Sequence, residues 1–241
     1  MNRRTLLAAA LLASLSACVA DTGQSTVTLP ISAEGTAPAP FVADGWTVTL
    51  SKAELAFGAA YFCATAAADA RLCETSVVEY LGSTTIDVLD PMAQPLGELD
   101  GVTGTVRTAS YDLGISYFLA ESEPRPTAGA IDGHSARLEG RAVQGASAFD
   151  FVANVDVVPL AAGRNAIVGE RTSVTIANDG VALIVRADAS AWLDDVDFDA
   201  LYAASAGGTQ VVVIEPGAPA HDAIVLALTA LHPPTFEWTN P

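Results

Sequence analysis

Apolar and polar residues alternate through most of the chain after residue 25, and a period of two is the pattern of a β-strand with one buried face. The clearest example is segment 147–158, in which every second residue from Phe149 to Val157 is apolar. Turn residues separate it from similar segments at 26–33, 76–80, 84–89, 104–113, 136–143, 172–176, 181–187, 210–214 and 235–238. Many short strands with few helices predict an all-β fold, an antiparallel β-sandwich or open barrel with one or two short helices.

Four local features refine the predicted strands. Pro30 has no backbone N–H, so we expect the first strand to lie at the edge of a sheet. In segment 46–57 the apolar phase slips by one residue near Ser51, which predicts a β-bulge or a bend. Asp100-Gly101 is typical of a turn, and Asn178-Asp179-Gly180 between two strand patterns predicts a β-hairpin.

Helical patterns are few. Segment 191–204 predicts one or two short helical turns, whereas 221–231 has helix-like apolar spacing in a Val- and Leu-rich stretch that fits a strand almost as well. The sequence contains no fixed-period repeat, and segment 121–129 is typical of a solvent-exposed loop rather than a domain linker. We therefore predict a single β-sandwich domain over residues 26–241.

The first eighteen residues have a different character. Arg3 and Arg4 are followed by an apolar stretch, and the small residues of segment 15–17 precede Cys18. The stretch is too short to span a bilayer, which needs about 20 apolar residues, and the whole pattern is typical of an export signal. It resembles the signal peptide and lipobox of bacterial lipoproteins, over residues 1–18 alone. The alternatives are an ordinary cleaved signal peptide with an incidental cysteine, or a buried N-terminal helix.

This resemblance implies a location and an anchor. In that family the cysteine is acylated through its sulfur and becomes the first residue of the mature protein. Residues 1–17 would then be removed, and Cys18 would carry a diacylglyceryl group and often a further acyl chain such as palmitate. Two or more acyl chains hold a protein stably at a membrane, with residues 18–25 as the tether. Val19, where the family's sorting rule would need Asp for retention, favours the outer membrane if the host has two.

A mature chain beginning at Cys18 would have 224 residues and be strongly acidic. Loss of Arg3 and Arg4 leaves nine basic residues against 28 acidic ones, a net charge of −19. A field of this sign repels nucleic acid and anionic lipid head groups, so we expect no nucleic-acid partner. It would attract cations or basic partners, or simply keep the domain soluble. No apolar run after residue 20 is long enough to span a bilayer.

Lipidation of Cys18 leaves Cys63 and Cys73 as an even pair in an oxidising compartment, which predicts a disulfide. In the chain-entropy model so small a loop contributes about 2–3 kcal/mol to stability. The alternative is a metal-binding or redox pair. Metal-binding pairs are usually two to four residues apart and redox pairs follow C-x-x-C, and neither spacing is present.

Recognisable catalytic signatures are absent from the sequence, which has no G-x-S-x-G, H-E-x-x-H, P-loop or G-x-G-x-x-G pattern. Gly133-His134-Ser135 places a histidine beside a serine, but neighbours in a strand project to opposite faces. A turn followed by a strand is therefore the favoured interpretation, and we predict no catalytic residue.

Two sets of residues are candidate metal ligands. The densest acidic cluster, a candidate Ca²⁺ site because Ca²⁺ prefers several oxygen ligands, consists of Asp194, Asp195, Asp197 and Asp199. An EF-hand is excluded, since Ala200 and Ala206 stand where that loop needs Gly and Glu. Otherwise these acids are solvated or lie at the start of a short helix. A copper or zinc site would need the fold to gather His134, His221 and His232.

Together these features predict a membrane-anchored, extracytoplasmic lipoprotein that acts as a non-enzymatic ligand- or partner-binding module of the cell envelope. No cofactor is predicted apart from Ca²⁺ at the aspartate cluster. One alternative is an extracytoplasmic metal-binding protein that uses those aspartates or the histidines. The other is a hydrolase whose site is assembled only by the fold.

Overall fold

Strands make up most of the regular structure, as the alternation predicts. The computed structural model describes residues 23–65 and 76–239. In these ranges the strands are β1 (Thr26–Glu34), β2 (Phe41–Ala43), β3 (Trp46–Phe57), β4 (Ala60–Cys63), β5 (Ser76–Tyr80), β6 (Thr84–Asp87), β7 (Gln94–Val102), β8 (Gly104–Tyr111), β9 (Ile115–Ser116), β10 (Arg125–Pro126), β11 (Ala136–Gln144), β12 (Ser147–Val155), β13 (Ile167–Ile176), β14 (Ala182–Arg186), β15 (Val212–Ile214) and β16 (Thr235–Thr239). The helices are α1 (Phe198–Ala204) and α2 (Pro219–Leu226), with a 3₁₀ turn at Ala191–Leu193 and a π-helical turn at Ala227–Leu231.

Two large sheets enclose one apolar core. Among the described residues, the larger sheet has eight strands in the order β13-β8-β4-β5-β7-β1-β14-β16. The smaller has six, in the order β15-β12-β11-β3-β2, with β6 also paired to β3, and β9 and β10 form a separate pair. The pairs β1–β14 and β12–β15 are parallel and the others antiparallel. The predicted all-β sandwich with short helices is confirmed.

The larger sheet curls until its two outer strands touch. β16 pairs with β14 along its length and also contacts β13, where the Trp238 indole N–H donates to the Thr172 hydroxyl at 2.8 Å. This arrangement shows that the hairpin predicted at Asn178-Asp179-Gly180 is wrong. The chain does turn there, but β13 and β14 do not pair, because the C-terminal strand lies between them.

The phase slip in β3 is a β-bulge, as predicted. Opposite β3, Glu139 pairs with Lys52 and the next residue, Gly140, pairs with Leu50, so the register with β11 skips Ser51. The extra residue keeps both apolar sets of the strand on the core side, since Trp46, Val48, Ala53 and Leu55 are all buried.

The edge position predicted from Pro30 is wrong, because β1 lies inside the larger sheet between β7 and β14. Thr28, two residues earlier, directs its N–H toward the Asp179 carboxylate on the β14 side, so the N–H missing from Pro30 would point the same way. Pairing with β14 begins at Ile31. Pro30 therefore precedes this ladder and costs it no hydrogen bond.

The turn predicted at Asp100-Gly101 is also wrong. Both residues lie in β7, for which the alternation predicts no strand, and the chain turns at Thr103 instead. At Gly101 an added Cβ would lie 2.1 Å from the carbonyl oxygen of Val77 in β5. The glycine therefore permits a close approach between strands rather than a turn.

The helical segments fall where the sequence places them. Segment 191–204 contains the 3₁₀ turn and α1. Segment 221–231, which fitted a helix or a strand, is helical, since it lies in α2 and the π-helical turn that follows. α2 docks on β12, where the His221 Nε2 atom accepts the N–H of Asp156 at 3.1 Å. None of the described helices has the length and apolar character needed to cross a membrane.

Candidate functional site

A concave site with both polar and apolar lining residues lies just beyond the C-terminal end of β8. It is a cavity of about 370 Å³, which we call the Asp112 cavity. Its walls come from three segments of the chain that are distant in sequence. The residues that line it are Ala59, Tyr61, Asp112, Ser116, Tyr117, Phe118, Leu119, Ala120, Gly163, Arg164 and Asn165.

Backbone hydrogen bonds hold these segments together. The Asp112 N–H donates to the Ala59 carbonyl at 2.9 Å, which joins the end of β8 to the start of β4. The Gly163 N–H donates to the Tyr117 carbonyl at 2.6 Å and joins the two loops that face each other across the cavity. Gly163 has a φ of +73°, which favours glycine at this position. These hydrogen bonds tie the loops that form the walls to each other and to the ends of β4 and β8.

Asp112 is a carboxylate buried at the base of the cavity, with 5 % of its surface exposed. Its Oδ2 atom accepts the Ser116 hydroxyl at 2.7 Å, and its Oδ1 atom accepts the N–H of Ala166 at 2.8 Å. Burial raises the pKa of Asp112, while these two hydrogen bonds and one from the Asn165 side chain act in the opposite direction. The free-energy cost of burying the charged carboxylate therefore exceeds the stabilisation that the three hydrogen bonds provide.

Asn165 carries an unsatisfied acceptor in the same wall. Only 7 % of the residue is exposed, and its Oδ1 atom is buried without a hydrogen-bond partner. An Asp112 carboxylate can only accept, so the amide nitrogen of Asn165 faces it and the oxygen is left over. A buried acceptor without a donor costs about 1–3 kcal/mol, so this oxygen adds to the cost of burying polar groups beside Asp112.

The mouth of the cavity is apolar and aromatic. Phe118 and Leu119 are 60 % and 75 % exposed. Tyr61 forms part of the wall, and burial, followed by the charges of Glu79 and Asp112, raises the pKa of its hydroxyl. The Tyr117 hydroxyl donates to the Ser122 carbonyl at 2.9 Å, which fixes its loop. A few polar groups at the base and apolar groups at the rim are typical of a ligand pocket.

The Asp112 cavity lies at the end of β8 that is remote from the start of the domain. Gln24 and Ser25 hydrogen-bond to Thr103, immediately before β8 begins. β8 then runs for eight residues, roughly 25 Å at about 3.4 Å per residue, before Asp112 is reached. The N-terminal entry to the sandwich and the cavity are therefore at opposite ends of this strand.

Two of the three histidines meet at one aspartate. The Nδ1 atom of His134 lies 2.7 Å from Oδ1 of Asp156, whose backbone N–H donates to His221. The neighbouring Ser135 is buried, and its hydroxyl accepts the N–H of Val157 at 2.9 Å rather than bonding to a histidine. His232 is elsewhere, where its carbonyl accepts the indole N–H of Trp192.

The predicted calcium ligands share one open depression. Asp194, Asp195, Asp197 and Asp199 line it together with Asp44. Two of them already have structural partners: Asp197 accepts the N–H of Ala200 and caps α1, and Asp199 accepts the indole N–H of the buried Trp46 at 2.9 Å. In residues 23–65 and 76–239 no group of three or more His, Cys, Asp or Glu side chains is arranged to hold a metal ion. The proposal of a calcium site thus gains no support from this arrangement.

Two other predicted sites fall partly or wholly outside the described residues. The lipidation site, Cys18, precedes residue 23. Cys63 ends β4 and is buried, whereas its predicted partner Cys73 is not among the described residues. The lipid anchor and the Cys63–Cys73 disulfide both stay predictions.

Known proteins give no guide to the site, because no protein family, curated protein or solved structure matches the chain. Sequence reasoning missed Asp112 and Asn165 as functional candidates. Both lie in irregular segments, and no motif joins two residues so far apart in the chain. Their common signal is burial of polar atoms, which appears only once the sheet is folded.

The raised pKa of Asp112 predicts a pH dependence of stability. Because the native state holds this proton more tightly than the unfolded chain, its contribution to the free energy of unfolding increases as the pH falls through the raised pKa toward the ordinary value of 3.8. Asp112→Asn should remove that contribution. Urea unfolding between about pH 7 and pH 4 should show wild type gaining stability relative to the variant.

The matched control is Asp195→Asn, which neutralises an exposed aspartate. Its stability relative to wild type should not follow the pattern of Asp112→Asn. Parallel curves for wild type and Asp112→Asn across this range would contradict the assignment of a costly buried charge at Asp112.

Proposed function

We propose that this protein is a lipid-anchored, non-enzymatic binding protein of the cell envelope, which takes up a small-molecule ligand in the Asp112 cavity. The observation that carries the proposal is the buried Asp112 carboxylate in the lining of a cavity that also contains Arg164, a half-buried arginine with no ion pair to another described residue. A ligand with a hydrogen-bond donor or a positive charge would offset the cost of burying this carboxylate.

The dimensions and chemistry of the Asp112 cavity support a small ligand. Its volume of about 370 Å³ lies in the range of known ligand pockets, about 300–1,000 Å³. Exposed Phe118 and Leu119 provide apolar area that a ligand would cover. Neither the metal-binding nor the hydrolase alternative has a comparable arrangement among the described residues, since no metal-ligand group forms there and Ser135 has no histidine partner.

The lipoprotein resemblance supports the location. An anchor at Cys18 would leave a tether of a few residues before β1 begins at Thr26. The Asp112 cavity lies at the far end of β8, so it would face away from the membrane that holds the anchor. This orientation suits the capture of a ligand from the surrounding compartment.

Filling the mouth of the cavity should abolish ligand binding. Ala120 lines the cavity, so Ala120→Trp would occupy it, whereas Ala128→Trp adds the same side chain at an exposed loop position outside its lining. In a thermal-shift screen of small polar and amphiphilic compounds, hits should raise the Tm of wild type and Ala128→Trp by about 2 °C or more and leave Ala120→Trp unchanged. Hits that stabilise all three proteins equally would place binding elsewhere and reject the cavity.

The anchor has its own test. Cys18→Ser removes the sulfur that would carry the lipid, so the variant should move from the membrane fraction to the soluble fraction of cells, and metabolic labelling with palmitate should be lost. The control is Ser16→Ala, which keeps Cys18 and the small-residue pattern before it. Membrane retention of Cys18→Ser would show that lipidation at this residue is not what holds the protein.

A further inference from the structure

The Asp112 cavity presents groups of both charges that do not neutralise each other. Asp112 lies at the base, and Arg164 belongs to the same lining. No ion pair joins these two side chains, because the partners of Asp112 are Ser116, Asn165 and the backbone of Ala166. The cavity therefore offers a separate anionic and a separate cationic position.

Arg164 is distinctive among the described arginines. Four of the seven form ion pairs with acidic side chains, namely Arg125, Arg137, Arg141 and Arg186. Arg107 and Arg171 are exposed to solvent, whereas Arg164 is half-buried and has no ion pair with a residue in 23–65 or 76–239. In a chain with 28 acidic residues, an unpaired arginine in a pocket wall is a candidate for binding an anionic group of a ligand.

The Asp112 position favours a hydrogen-bond donor. A carboxylate has about four acceptor positions, of which Asp112 uses three. A ligand ammonium carries three N–H groups and a positive charge, so it can donate to the remaining position and compensate the buried Asp112 charge together. A hydroxyl would supply one donor and no charge.

The rim completes the set of complementary surfaces. Exposed Phe118 and Leu119, with Tyr117 beside them, form an apolar surface that would cover a hydrocarbon or aromatic side chain. A volume of about 370 Å³ is large enough for one amino acid or a dipeptide.

We propose that the ligand of the Asp112 cavity is a small zwitterionic amino acid with an apolar side chain. Its ammonium group would lie at Asp112, its carboxylate at Arg164 and its side chain against Phe118 and Leu119. This inference rests on the proposed function, because it names the ligand class of the same site.

Three related compounds separate the contributions of the two charges. Phenylalanine carries both, phenethylamine lacks the carboxylate and 3-phenylpropanoate lacks the ammonium group. Calorimetric titration of the purified full-length protein in detergent should show phenylalanine binding at least about tenfold more tightly than either analogue, since each charged hydrogen bond contributes on that scale. An analogue that binds as tightly as phenylalanine would overturn the zwitterion assignment.

Two variants assign the carboxylate to Arg164. Arg164→Gln should bind phenylalanine no more tightly than phenethylamine. Arg171→Gln, the matched change at an exposed arginine, should keep the wild-type preference for phenylalanine over phenethylamine. Retention of the preference in Arg164→Gln would reject the assigned role of Arg164. The comparison of the three compounds on wild type stands even if Arg164→Gln fails to fold.

The proposed ligand class and the proposed binding function can be rejected separately. If none of the three compounds binds but other compounds still stabilise the protein in a manner that Ala120→Trp abolishes, the ligand class is wrong and the binding function stands. If no compound of any class shows that dependence on Ala120→Trp, both are rejected.

Discussion

The contact that closes the larger sheet is made by the last strand of the domain, and the rest of the structure depends on it. β16 brings Phe236 against Phe57, Phe62 and Tyr111 at ring-centroid distances of 5.3–6.3 Å, and Trp238 packs edge-on against Phe62. Aromatic pairs of this kind contribute about 0.5–1.5 kcal/mol each beyond the area they bury. Without β16, β13 and β14 would face a gap, and the aromatic interior would be open to water.

Closure of the larger sheet also determines where the polar side chains at the end of β8 lie. Tyr111 is fully buried in this aromatic cluster, and burial raises the pKa of its hydroxyl well above the usual value. The next residue, Asp112, leaves the sheet and turns its carboxylate toward the loop around Asn165. Packing on Tyr111 holds the end of β8 and therefore the position of Asp112 at one side of the cavity.

The sequence predicts local structure well and spatial neighbours poorly. The slip of apolar phase near Ser51 predicts the bulge because side-chain alternation within one strand is a local property. The edge position predicted for Pro30 and the hairpin predicted at residues 178–180 are both wrong because each depends on which strand lies alongside. One neighbour of β1 is β14, which is distant from it in the chain. The strand between β13 and β14 is β16, which is likewise distant from β13. The Asp112 cavity has the same character, since Asp112 becomes a neighbour of Arg164 and Asn165 only when β8 and β13 pair.

We propose that the Asp112 cavity, rather than the aspartate depression near Asp44, binds a small zwitterionic amino acid. The most direct measurement is the mapping of backbone amide chemical shifts by NMR as phenylalanine is added to the isotope-labelled protein. Saturable shifts are expected to concentrate in residues 112–120 and 163–166. Shifts centred on Asp44 and residues 194–199, or no saturable shifts in residues 112–120 and 163–166, would contradict it.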